Sequence, residues 1–565
     1  MKKHSKILIC LVLVVVLLVS AVSLAACSVN SSLIEKRGGN DKAIVLVTAL
    51  MSGGLYDGKT GDALWDPFYF SDVTLPDVLA LLEADDMMEA VNESGIVDKV
   101  LGADVSFLKD SSGEPYGSIV TYALDLLGPI LAFPTTEIDT DGLTDDEIVE
   151  ERYKPGRYID KTDSTEADLM KSLLYDLSLD QSGASLNKNV KPSNDYTGPH
   201  TNLQYGVMGA YKSQIVTLTE KYPNYDVVIF NYDWRLDVEH NEELFEQFLA
   251  EKKYKKIILT THSLGGQVCN QFLAKSQANR DMVDAFIMYS PATLGATMAL
   301  AYLNNAWDAL DDYIGMVDNV SGMLDAMGLG NMQGTVDMVM NSVMSSVDSL
   351  MNVQAAYFLQ NLSSVIQLLP SFAMLETYHD AEEGIWILKD EDGNDIDTED
   401  KLFEYYERRP WAWKYDEETG EWLYDDEGNH ILKDKVASLK EHQHSLYVEQ
   451  DGKEVLAADL VNTYYLVGAY KDTIVKYDES IDAGWTYSLD DARGAINKYS
   501  KMEGDGIVPM YSLLCGHTES EINKLYEADG QVHVIKYHHE HNVVGSDFTN
   551  VTGEDVIKII TAVGW

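Results

Sequence analysis

The sequence predicts an α/β protein with a doubly wound, mostly parallel sheet, and three observations carry that expectation. Apolar runs at 43–47, 226–230, 257–260 and 284–289 are continuous enough for strands buried on both faces. Helical stretches at 211–222, 242–253 and 267–274 alternate with them. A β-loop-α-β-turn-α succession joins parallel strands by helices that cover both sides of one sheet.

The chain has 565 residues, which implies several domains or one core with large insertions. Residues 1–27 read as a secretory signal: Lys2, Lys3 and Lys6 precede an apolar run from Ile7 to Leu18. The ending Leu24-Ala25-Ala26-Cys27 resembles a bacterial lipobox, which implies cleavage before Cys27 and a lipid on its sulfur. The alternative is an ordinary signal peptide or an uncleaved anchor. Residues 28–41 read as a flexible tether. The expected location is therefore a bacterial cell envelope, either lipid-anchored on the outer face of the cytoplasmic membrane or secreted. A formal net charge of −50 excludes nucleic acid, and anionic lipid, as an electrostatic partner. Cys10 leaves with the signal, so Cys269 and Cys515 remain, expected as two free buried thiols rather than a disulfide framework.

A first core segment, 42–295, begins with the strand at 43–47 and a loop, Thr48-Ala49-Leu50-Met51-Ser52-Gly53-Gly54. The Leu50 backbone N–H in this loop is a candidate oxyanion donor; a plain glycine turn is the alternative. An insertion fills about 60–200, with short helices expected at 75–82 and 87–91. Its acidic run at 137–147 lacks the ligand spacing of a calcium loop and reads as solvated. The strand at 226–230 runs into Asn231-Tyr232-Asp233-Trp234-Arg235-Leu236.

Next comes Ile257-Ile258-Leu259-Thr260-Thr261-His262-Ser263-Leu264-Gly265-Gly266. A serine on so sharp a strand-to-helix turn is held strained, with its hydroxyl at the top of the sheet, as in the α/β-hydrolases. Gly265 and Gly266 let the strand and helix approach. Thr261 stands where a glycine is usual. Ser263 is the candidate nucleophile and the Leu264 N–H a second oxyanion donor. A small-residue turn without catalysis is the alternative. His262 is expected to be structural.

Residues 296–375 are Met-rich and sparsely charged, which suggests a helical cap or lid over an acyl-binding cleft, or a plain helical insertion. Residues 376–450 read as an acidic, aromatic β-hairpin insertion, because Asp392-Gly393-Asn394 and Glu427-Gly428-Asn429 both look like hairpin turns. A second core segment, 451–565, holds a strand at 461–468, the loop Gly504-Asp505-Gly506, a loop with His538-His539-Glu540-His541, and a helix at 553–561.

A serine nucleophile needs a base, and the base needs an orienting acid, in chain order Ser, Asp or Glu, His. Asp505 suits the acid. His541 suits the base, with His538 and His539 as rivals and His533 read as a strand residue. The His cluster lacks zincin spacing, so no metal and no cofactor is expected.

These motifs resemble the lecithin:cholesterol acyltransferase family, which includes lysosomal phospholipase A2. The matching residues are Tyr232-Asp233-Trp234-Arg235-Leu236, His262-Ser263-Leu264-Gly265, Ser290-Pro291-Ala292 with Gly295, Tyr464-Tyr465-Leu466-Val467-Gly468, Gly504-Asp505-Gly506-Ile507-Val508 and His541-Asn542-Val543-Val544. The resemblance implies an α/β-hydrolase core with cap and lid and a triad of Ser263, Asp505 and His541. It implies a lipid-ester substrate, with water or an alcohol as acyl acceptor, and Asp233, Trp234 and Arg235 as motif residues near the site. Cys515 lies near a family disulfide position whose partner place is Tyr465 here, so that bridge is absent. Val47-Thr48-Ala49 departs from the family's Val-Pro-Gly. Other readings are a silent lipid- or glycan-binding hydrolase fold and a serine peptidase on the same fold.

Overall fold

The computed structural model describes residues 41–59, 63–65, 177–192, 207–304, 358–382, 384–416, 419, 421–480, 499–527 and 530–565. The signal segment with Cys27, most of 60–200 with its two expected helices and acidic run, and 305–357 of the Met-rich stretch lie outside them.

Six described strands form one parallel sheet: β1 (Lys42–Val47), β2 (Asp226–Phe230), β3 (Lys256–His262), β4 (Val283–Tyr289), β5 (Thr463–Gly468) and β6 (Val534–Tyr537), in the spatial order β6-β5-β4-β3-β1-β2. The middles of the inner strands are mostly apolar because both faces of the sheet are covered. In β1, Ala43, Val45 and Val47 belong to one core cluster and Ile44 and Leu46 to the other. Helices α2 (Val238–Lys252) and α3 (Gly265–Lys275) bury Phe245, Leu249, Val268 and Phe272 on the first face. Helices α1 (Val207–Lys221) and α5 (Gly553–Ala562) bury Ile215, Leu218, Val556 and Ile560 on the second. This is the expected doubly wound α/β-hydrolase arrangement.

Asp505 follows a feature the sequence did not signal. Strands Lys471–Asp478 and Tyr499–Gly504 pair antiparallel, so the acid hangs from the end of a ribbon rather than a simple loop. His541 is the first residue of a short helix, α4 (His541–Ser546), and not part of the loop expected before the last helix. The carbonyl of Asp505 accepts the His541 backbone N–H at 2.9 Å, which pins that helix start to the acid's own loop.

The segment 376–450 is more helical than expected. Helices Glu399–Glu407 and Leu439–Ser445 lie within it, and its β pairing is limited to short stretches and isolated bridges. Aromatic residues anchor it: Tyr406 and Trp411 are fully buried, and the Tyr406 hydroxyl donates to the Pro370 carbonyl at 2.8 Å. The two expected turns do form, and alike. The Asp390 carboxylate accepts the N–H groups of Asp392 and Asn394, and the Asp425 carboxylate those of Glu427 and Asn429. Among the described residues, no helix is long and apolar enough to cross a membrane.

Candidate active site

Ser263 sits where β3 ends and α3 begins, with φ +54. A left-handed serine is strained, and the surroundings hold it there. Its N–H donates to the Tyr289 carbonyl at 3.2 Å, and its carbonyl accepts the N–H groups of Gly266 and Ala292. The turn has no room for a side chain at its next glycine. A β-carbon on Gly265 would lie 2.4 Å from Thr261 Oγ1 and 2.6 Å from the Thr48 carbonyl. Thr261 is tolerated because its hydroxyl points at the Val47 carbonyl, 3.4 Å away.

Asp505 is fully buried and each carboxylate oxygen has a task. Oδ1 accepts the N–H groups of Ile507 and Val508 at 3.1 and 2.8 Å. Oδ2 takes the His541 Nδ1–H at 2.7 Å. That bond fixes the imidazole tautomer with its bare Nε2 free to take a proton. Ser263 Oγ has no hydrogen-bond partner among the described residues, a looseness common before substrate binds. The rivals His538 and His539 are both exposed, and His538 stacks on Tyr470 at 4.1 Å. His533 stands one residue before β6, buried, with Nδ1 2.5 Å from the Thr463 carbonyl.

Gly468 closes β5 at a crowded point. A β-carbon there would lie 2.5 Å from the His539 carbonyl and 2.7 Å from Asp505 Cβ. Gly468→Ala is therefore expected to push acid and base apart and to lower turnover of an activated ester by about 100-fold. Steady-state kinetics with active-site titration checks this.

The loop after β1 is tied down by residues from the Tyr-Asp-Trp-Arg stretch. The Tyr232 hydroxyl donates to the Thr48 carbonyl at 2.8 Å, Asn231 Nδ2 to the Gly54 carbonyl at 3.1 Å, and Trp234 Nε1 to the Gly53 carbonyl at 3.2 Å. Asp233 and Arg235 form a buried two-pronged pair at 2.8 and 2.7 Å, and Arg235 also donates to the Leu177 carbonyl. Met51, within the loop, has φ +58. Among the described residues, neither the Leu50 nor the Leu264 N–H is given to a backbone or side-chain acceptor.

His262, expected to be structural, packs against His541. Its ring centroid lies 5.0 Å from that of His541. Burial, and then the neighbouring His541 imidazole, hold it well below the usual imidazole range. The unfolded chain takes up this proton near a pH of about 6.5 while the folded chain does not. Folding stability should therefore be whole above that pH and fall as the pH drops toward the depressed folded value. Urea unfolding between pH 7.5 and 5.5 should show a slope that His262→Gln reduces by up to about 1.4 kcal/mol per pH unit.

Both remaining cysteines are free and buried, as expected. Burial holds the Cys269 thiol above its usual range and pushes that of Cys515 up to about 12, so neither acts as a nucleophile at neutral pH. Cys515 lies against Tyr465, the residue standing in the place of a disulfide partner. Among the described residues, no group of His, Cys, Asp and Glu could hold a metal ion.

The model of the family described as "Lecithin:cholesterol acyltransferase" matches residues 211–555. No curated protein matches the chain. Among solved structures, "The crystal structure of Tle4-Tli4 complex" aligns at 13% identity over 93% of this chain and 99% of that one, with a TM-score of 0.36.

Proposed function

The chain belongs to the lecithin:cholesterol acyltransferase family, and from that premise we propose that it is a serine-dependent acyl-ester hydrolase or O-acyltransferase acting on phospholipid-like esters. What supports the reading is the 2.7 Å bond from His541 Nδ1 to the buried Asp505, in a chain whose Ser263 is left-handed at a strand-to-helix turn.

In this reading His541 Nε2 takes the Ser263 hydroxyl proton as Oγ attacks the ester carbonyl. Asp505 steadies the imidazolium that forms. The N–H groups of Leu264 and Leu50 receive the oxyanion. The tetrahedral intermediate collapses, His541 returns the proton to the leaving alkoxide, and the acyl group stays on Ser263. His541 then deprotonates an incoming water or alcohol as its oxygen attacks the acyl carbonyl, the bond from Ser263 Oγ to the acyl carbon breaks, and His541 returns the proton to Oγ as the acid or new ester leaves. The residues named need no metal for this sequence. The substrate would be met at a membrane surface, with Cys27 as a lipid anchor on the outer face of a bacterial cytoplasmic membrane.

The test is acyl release from mixed phospholipid vesicles, with and without a long-chain alcohol, against Ser263→Ala. Serine-dependent fatty acid alone means hydrolysis, and serine-dependent ester of the added alcohol means transfer. Cleavage of a short-chain ester without action on vesicles would keep the serine chemistry and remove the lipid substrate. Equal activity in the variant would remove the serine.

A further inference from the structure

We propose that His262 and Tyr211 act as a positioning pair that locks the backbone of the base segment and the turn carrying the oxyanion donor into one register. The proposal rests on the serine-hydrolase reading and adds two residues to it.

Proton accounting gives the argument its direction. His262 Nε2 lies 3.2 Å from the His541 carbonyl and Nδ1 lies 2.8 Å from the Tyr211 hydroxyl. A carbonyl only accepts, so Nε2 carries the ring's hydrogen. His262 is neutral, which leaves Nδ1 as a bare acceptor. Tyr211 has one hydroxyl hydrogen, and it must go to Nδ1. The Tyr211 oxygen is then an acceptor for the Ala49 N–H at 3.3 Å. The Ser52 hydroxyl, 3.2 Å from the same oxygen, places its own hydrogen on the Ala49 carbonyl at 2.8 Å.

The chain of contacts therefore runs from the His541 carbonyl through His262 and Tyr211 to the turn at 49–52. At one end is the base that takes the Ser263 proton. At the other is Leu50, whose N–H has no acceptor among the described residues, beside left-handed Met51. A strained turn persists only where its surroundings over-determine it, and the Tyr211 hydroxyl is one such constraint. His262, next to Ser263 in the chain, is the element common to both ends. Neither residue touches the reacting atoms.

Tyr211→Phe keeps the buried ring and removes the hydroxyl. His262→Gln offers an amide N–H and an amide oxygen in place of the two ring nitrogens, whereas His262→Leu offers neither. The full chain and its variants are titrated with a fluorophosphonate, and kcat and KM are measured per active site on an activated ester. Affinity for an alkyl boronic acid, which forms a tetrahedral adduct on serine, is measured alongside. Tyr211→Phe and His262→Leu should lower kcat per titrated site by about 10- to 100-fold with KM within about 2-fold. Boronate affinity should weaken by the same factor, and His262→Gln should recover most of the loss. A merely structural role would lower the titrated fraction or the melting temperature and leave kcat per site unchanged, which would overturn the proposal. Wild-type kinetics in Tyr211→Phe would overturn it as well. Failure of the wild-type chain to label would instead remove the serine-hydrolase reading itself.

Discussion

Ser263→Ala should lower acyl-ester turnover by about five to six orders of magnitude, because serine and histidine act as one unit and the loss of either removes nearly all the chemistry. Asp505→Asn should lose about four orders through the wrong imidazole tautomer. Asp505 is held by two backbone N–H groups besides His541, so the asparagine would keep its place while offering an N–H where His541 needs an acceptor. The alanine variant should also lose all fluorophosphonate labelling while melting at nearly the wild-type temperature. Labelling that persists in Ser263→Ala would locate the nucleophile elsewhere in the chain.

The second large effect concerns stability. Arg235→Ala should destabilise the fold by about 3–5 kcal/mol, because it strands the Asp233 carboxylate in a buried site. The guanidinium has no exposure and the carboxylate side chain only 7%. Replacing both, as Asp233→Leu with Arg235→Met, should recover much of the loss, since an apolar pair leaves no buried charge unpaired. Urea unfolding measures both. A loss under about 1 kcal/mol for Arg235→Ala would put this pair in the class of surface ion pairs. Activity should fall further than stability in the single variant, since the same turn carries Trp234 onto the Gly53 carbonyl.

The sheet was legible because parallel strands buried on both faces must be apolar without interruption, and few other segments of this chain are. The serine turn was legible because its geometry admits few residue types. The acid and base loops could be read as motifs, but their supports could not. Nothing local marks the ribbon that carries Asp505, whose strands lie on either side of residues 479–498. Tyr211 reads as an ordinary buried residue of a helix, and only the fold brings its hydroxyl to His262 and Ala49, 51 and 162 residues away. The stretch at 376–450 misled for a different reason. Its turn residues announced two hairpins, which form, but gave no sign of the helices Glu399–Glu407 and Leu439–Ser445 beside them.

Strand Lys471–Asp478 has a second neighbour besides its ribbon partner. At its far end Tyr477 and Asp478 pair with Leu388 and Lys389, and the Arg409 guanidinium grips the Glu479 carboxylate just beyond. Excision of residues 384–432 would therefore not trim a detachable module. It would strip Tyr477 and Asp478 of their strand partner and uncover the apolar ground now filled by Tyr406 and Trp411. A chain shortened in that way should aggregate more readily than the full chain, as light scattering would show, so a smaller version of this scaffold is better sought by trimming elsewhere.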